Sequence, residues 1–141
     1  MYLNIKEHNM RELKFRVWDV KLNEYVPKRE LDRNFGLDFN GELRCLIASR
    51  EKDPFILQQY TGLTDSKENH IFEGDIVNYK TWEGRHDGII EENQTQVKFK
   101  DGAYYPRYIN DECEDSWYSF KVYDLEVVGN VFETPHLDKN E

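Results

Sequence analysis

Cysteine is scarce in this chain, and the scarcity excludes two architectures. Cys45 and Cys113 are the only thiols among 141 residues. Two isolated thiols make neither a disulfide framework nor a zinc site, which takes about four ligands. Cys45, within Leu43-Arg44-Cys45-Leu46-Ile47, reads as a small buried hydrophobe. Cys113 stands among acids, which raise a thiol's pKa rather than activate it. The pattern suits a reducing cytoplasm. Long apolar runs are also missing, and none approaches the roughly 20 residues of a membrane span. Residues 1–9 lack the apolar centre of a signal peptide and read as a disordered extension, with Met10 a second candidate start. A phosphate-cradling glycine loop is absent, because Gly84, Gly88 and Gly102 do not fall at the required offsets.

Basic charge is in deficit. Nineteen Lys and Arg against 28 Asp and Glu leave a formal charge of −9. A field of that sign repels phosphate backbones, so broad nucleic-acid binding is disfavoured, although a local basic patch is compatible with it. Aromatic residues, by contrast, make up 14% of the chain. Disordered chains are poor in aromatics, and buried rings bring much area per residue, so the chain should fold with few Leu and Ile. Its length fits one domain or two small, tightly packed ones.

The dominant hydrophobic period is two, in short segments. Leu13, Phe15 and Val17 alternate with Lys14, Arg16 and Trp18, an early strand ending near Asp19. Tyr25-Val26 is placed to pair back on it before Pro27. Residues 26–34 admit a turn or two of helix. Phe39-Asn40-Gly41-Glu42-Leu43 reads as a hairpin, since Asn-Gly supplies the φ > 0 positions of a tight turn. Leu43, Cys45 and Ile47 then share a face. Asp53-Pro54 has the look of a helix start, but the short length favours a strand over residues 56–60. Residues 61–70 read as a turn region. Strands are expected over 75–81, 88–92 and 95–99, with Asn93-Gln94 as a turn and Asp101-Gly102 closing the last. Residues 103–118 look irregular. Residues 119–123 and 125–132 are the final strand candidates, and the tail from His136 should fray.

Gly74-Asp75-Ile76-Val77 has a plain physical reading. Gly74 permits a sharp turn into a strand, and the Asp75 carboxylate can accept backbone N–H groups there. With the following segments it gives the order of a small SH3-like barrel over residues 71–134. The expected fold is therefore all-β, an N-terminal β segment of residues 11–60 packed on that barrel. No Pro/Gly/Ser-rich linker divides them, so they should form one cooperative unit.

Four stretches carry a wider resemblance: Lys14-Phe15-Arg16-Val17-Trp18-Asp19, Gln59-Tyr60-Thr61-Gly62-Leu63, residues 71–77, and Leu125 through Pro135. Together they resemble the successive signatures of the YopX family, small proteins of bacteriophages and prophages. The resemblance runs from about residue 11 to 137. It implies an all-β architecture, a phage or prophage origin and a cytoplasmic setting in a bacterial host. It implies no biochemical activity and no catalytic residues. Residues 80–120 carry no family motif, so a specific function is expected there.

Candidate chemistry is thin. Asp111, Glu112, Glu114 and Asp115 offer oxygens to a cation but lack the spacing of a calcium loop and read as a solvated acidic run. His70, His86 and His136 are scattered. A triad of His86-Asp87 with Ser116 or Ser119 finds no support, because neighbours on a strand face opposite ways. No enzyme, cofactor or metal is expected. The aromatics Trp82, Tyr104, Tyr105, Tyr108 and Trp117 are the candidate partner-binding surface, with closure of the small core as the alternative. The leading function is an accessory module that binds a host or phage protein or itself. The runner-up is a nucleic-acid module pairing those aromatics with Lys98, Lys100 and Arg107.

Overall fold

The computed structural model describes residues 12–83, 89–100, 102–106 and 125–137. These residues are all-β with one short α-helix. The first strand, β1 (Phe15–Asp19), is covered on both faces, so Val17 and Trp18 are both buried although they point opposite ways. β2 (Glu24–Tyr25) pairs back on it, and α1 (Lys28–Asn34) follows Pro27. A separate hairpin, β3 (Phe35–Leu37) with β4 (Leu43–Cys45), leads through a short 3-10 turn to β5 (Phe55–Thr64). Then come β6 (His70–Phe72), β7 (Asp75–Glu83), β8 (Ile89–Lys100), β9 (Ala103–Pro106) and β10 (Glu126–Asn130).

Two four-stranded sheets result, ordered β2-β1-β5-β6 and β10-β7-β8-β9. All the pairings are antiparallel, and the strands curl as a half-barrel. The main core cluster draws on both sheets. Ile71 of β6 packs with Val77, Tyr79, Val97 and Leu125, and Leu63, Tyr104 and Val127 lie against them. Inside this region Thr95 Oγ1 is the one buried side-chain polar atom without a hydrogen-bond partner among the described residues.

Four expectations are corrected. Asn93-Gln94 is not a turn but the middle of the 12-residue β8, opposite Tyr79 and Asn78. The Gln94 amide donates to Asn78 Oδ1 across the strands at 3.1 Å, so residues that favour turns locally find their partners in the ladder. The turn region is shorter than 61–70, since β5 continues to Thr64 and β6 begins at His70. Residues 65–69 make the turn, and β6 joins the N-terminal sheet rather than opening the second one. Residues 103–106, read as irregular, form β9 after Gly102. Cys45 is half-buried, not buried, because β4 lies in a two-stranded ribbon with little to cover it. The candidate strand 119–123 lies outside the described residues.

Candidate functional site

The most elaborate cluster lies where the sheets meet, and it is built around Arg16. The β1–β5 register sets Arg16 opposite Gln58, and Arg16 Nε donates to Gln58 Oε1 at 2.7 Å. Its guanidinium also donates to Asp75 Oδ1 at 2.6 Å, linking the first strand of one sheet to the first strand of the other. The rings of Tyr25 and Phe72 each lie 4.7 Å from the guanidinium carbon. Such stacking leaves a planar cation well placed in a partly dry site. The second Asp75 oxygen accepts the Phe72 N–H at 2.8 Å, and the Tyr25 hydroxyl donates to Gln58 Oε1 at 2.9 Å.

Burial pushes the Asp75 carboxyl above its usual range, against the pull of Arg16 and the Phe72 amide. Burial likewise raises the Tyr25 phenol to about 12. Gly74 completes the cluster. Its φ is +79°, and a Cβ there would stand 2.1 Å from Gln58 Nε2, so a side chain would both strain the backbone and displace the amide that orders Arg16.

A second junction centres on Asp65. Its carboxylate accepts the N–H groups of Lys67, Asn69 and Val127 at 2.9, 2.8 and 3.0 Å, tying the β5–β6 turn to β10. Burial opposes its ionisation, but these bonds prevail and hold its pKa below the ordinary value. Nearby, Asn130 Oδ1 accepts the N–H groups of Phe132 and Glu133. This turn presents Phe132 to Trp18, and the rings stack at 4.9 Å. Asp19, buried at the end of β1, accepts from Arg50 at 2.6 Å and from the Lys21 and Leu22 amides, and Arg50 also holds Asp53.

These carboxylates and guanidinium groups are thus paired with one another, although Arg16 and Phe72 also border an open groove. Among the described residues no group of three or more His, Cys, Asp or Glu side chains is arranged to hold a metal ion. His70 packs against Tyr60 and Phe72, and His136 lies in the terminal 3-10 turn. What the cluster does chemically is weld two sheets.

The N-terminal sheet also borders that groove. The groove, of about 570 Å³, runs between the sheet, α1 and the hairpin, walled by Phe15, Val17, Leu31, Phe35, Leu43 and Leu57. Lys14, Arg16, Lys28, Asp32, His70 and Phe72 also line it. The β3–β4 hairpin beyond it ends in Asp38-Phe39-Asn40-Gly41-Glu42. Asp38 accepts the Asn40 and Glu42 amides at 2.9 and 3.0 Å and the Arg44 guanidinium at 2.9 Å, so the tip is fixed. Phe39 at that tip is fully exposed, and Leu37 and Leu46 are also solvent-facing.

Of the aromatics singled out from the sequence, Tyr104 is half-buried and packs edge-on to Phe99 at 5.0 Å and against the core. Trp82 stands in β7 opposite Ile90 and Tyr105 in β9 opposite Lys98, their side chains outside the described set. Tyr108 and Trp117 lie outside the described residues, as do Arg107, His86 and the acidic run 111–115. The sequence reading missed Arg16, Gln58 and Asp65 as junction residues and Phe39 as an exposed tip. An Arg between Phe15 and Val17, on the same face as Trp18, was a signal for the first: a cation beside a buried aromatic needs a counter-charge.

Residues 14–138 match the family model described as YopX protein. The crystal structure of protein EF1440 from Enterococcus faecalis is similar, with a TM-score of 0.56 and 22% identity, covering 94% of this chain and 100% of that one. That likeness is one of fold. No curated protein matches the chain significantly. No helix among the described residues is long and apolar enough to cross a membrane.

Proposed function

The chain belongs to the YopX family, and on that premise we propose a non-enzymatic accessory protein of a phage or prophage that binds a protein in the bacterial cytoplasm. One observation carries this reading. The buried carboxylates Asp19, Asp65 and Asp75 and the half-buried Arg16 are engaged by internal partners, while large apolar side chains such as Phe39, Leu46, Leu22 and Phe99 stand in solvent. A catalytic site needs charged groups left poised toward a pocket. A binding surface needs exposed apolar anchors on a rigid frame. The strand order β10-β7-β8-β9, with the last strand returned beside the first, supports an SH3-like barrel as that frame. Trp82 and Trp117 are proposed as further contacts to the partner.

The test is a tagged pull-down from lysate of the bacterial host, with and without nuclease, read by mass spectrometry. A protein that survives nuclease and is lost in a Trp82→Ala/Trp117→Ala variant supports the reading. Partners that vanish with nuclease would replace it with the nucleic-acid module. Bait alone would count against both.

A further inference from the structure

An isolated two-stranded ribbon is a weak structure, and this one carries the exposed apolar side chains of Leu37 and Phe39. Its base is anchored by Phe35, edge-on to Phe55 at 5.0 Å. Its tip is held by Asp38 and carries a fully exposed phenylalanine. A fixed tip loses little freedom on binding, which favours Phe39 as an anchor. Beside it lies the apolar groove of about 570 Å³, whose walls include the hairpin's own Leu37 and Leu43. Knob and receptacle are therefore neighbours on one face.

We infer that a second copy of this chain seats its Phe39 in this groove while receiving the first copy's Phe39 in its own, a two-fold dimer. This deepens the protein-binding reading and rests on it. An interface of this kind is self-complementary, and such pairs are the commonest oligomers. Charge agrees with it. Glu42 beside the tip and Lys28 beside the groove have no ion-pair partner among the described residues. In the paired arrangement, Glu42 of each copy approaches Lys28 of the other. Two Phe rings at roughly 200 Å² each, with an equal area of wall covered, bring about 800 Å². A specific interface needs about 1,200 Å², so the exposed Leu37 and Leu46 and the charged rim must supply the rest.

Sedimentation equilibrium of the full purified chain, from low to high micromolar, tests this. The expected result is a monomer–dimer equilibrium without higher species. Phe39→Ser, at a position that makes no core contact, should raise the dimer dissociation constant at least tenfold and leave the circular dichroism spectrum unchanged. Glu42→Lys and Lys28→Glu should each weaken the dimer, and the two together should recover much of the loss. A chain that stays monomeric throughout, or a dimer indifferent to Phe39→Ser, overturns the inference. Charge reversals that add rather than compensate overturn the paired arrangement. Either failure leaves the pull-down to decide the wider reading by itself.

Discussion

Replacing Arg16 by Met keeps most of the side chain's stem and removes the guanidinium. The loss is fourfold: the ion pair to Asp75, the hydrogen bonds to Gln58 and to the Glu73 carbonyl, and the contact with two rings. Removing one partner of a buried ion pair costs about 3–5 kcal/mol, because the other charge is left stranded. The Arg16 side chain is 21% exposed, so water offsets part of this, and we take the lower end, about 3 kcal/mol. Against a total of roughly 5–15 kcal/mol that is a large fraction. Urea unfolding followed by tryptophan fluorescence and circular dichroism measures it. Asp75→Asn in the Arg16→Met background removes the stranded charge and keeps an oxygen for the Phe72 amide. It should restore about 1–2 kcal/mol, and the double-mutant cycle should give a clear coupling. The pH dependence has a definite sign. Without the guanidinium, burial drives the Asp75 pKa still higher. A carboxyl whose folded pKa is raised adds stability below its unfolded value and loses it as pH rises through the folded one. The Arg16→Met penalty should therefore shrink between neutrality and about pH 4. A penalty under about 1 kcal/mol, or a cycle with no coupling, would refute the reasoning.

Gly74→Ala should cost about 2–4 kcal/mol by the same assay, since it combines a left-handed φ with displacement of Gln58. Thr95→Val should be neutral or stabilising by about 1 kcal/mol, because it deletes a buried hydroxyl that has no partner among the described residues. Ultraviolet titration of the native chain minus Tyr25→Phe should reveal one tyrosine ionising at about 12. Its raised pKa means a stability contribution present below about pH 10 and lost as pH climbs through the folded value; a missing tyrosine that titrates near 10 would contradict the buried placement.

The strands that obey local rules were legible in the sequence. β1 shows clean alternation, and Gly74-Asp75 shows its turn chemistry, so both could be read without a partner in view. The hairpin around Asn40-Gly41 was legible for the same reason. β8 was not, because Asn93 and Gln94 favour turns locally and only the opposite strand reveals their pairing. The junction was harder still. Arg16 and Asp75 lie 59 residues apart and meet only once both sheets exist. Asp65 reads locally as a turn residue, and its reach to Val127 depends on β10 arriving beside it. The exposure of Phe39 was hidden because a hairpin pattern does not say what covers its tip. Three of the four stretches that carried the family resemblance meet at the sheet junctions, through Arg16, Asp75 and Val127. They therefore describe how the chain folds more than what it binds.

Native-state hydrogen exchange tests the central claim most directly, that the Arg16 and Asp65 junctions join two sheets into one cooperative frame. Amides of Val17 and Leu57 in one sheet, and of Val77 and Val97 in the other, should open with a common free energy. Arg16→Met should lower all four together. A C-terminal sheet that keeps its protection while the N-terminal sheet opens, or a variant that loosens one sheet alone, would contradict the account.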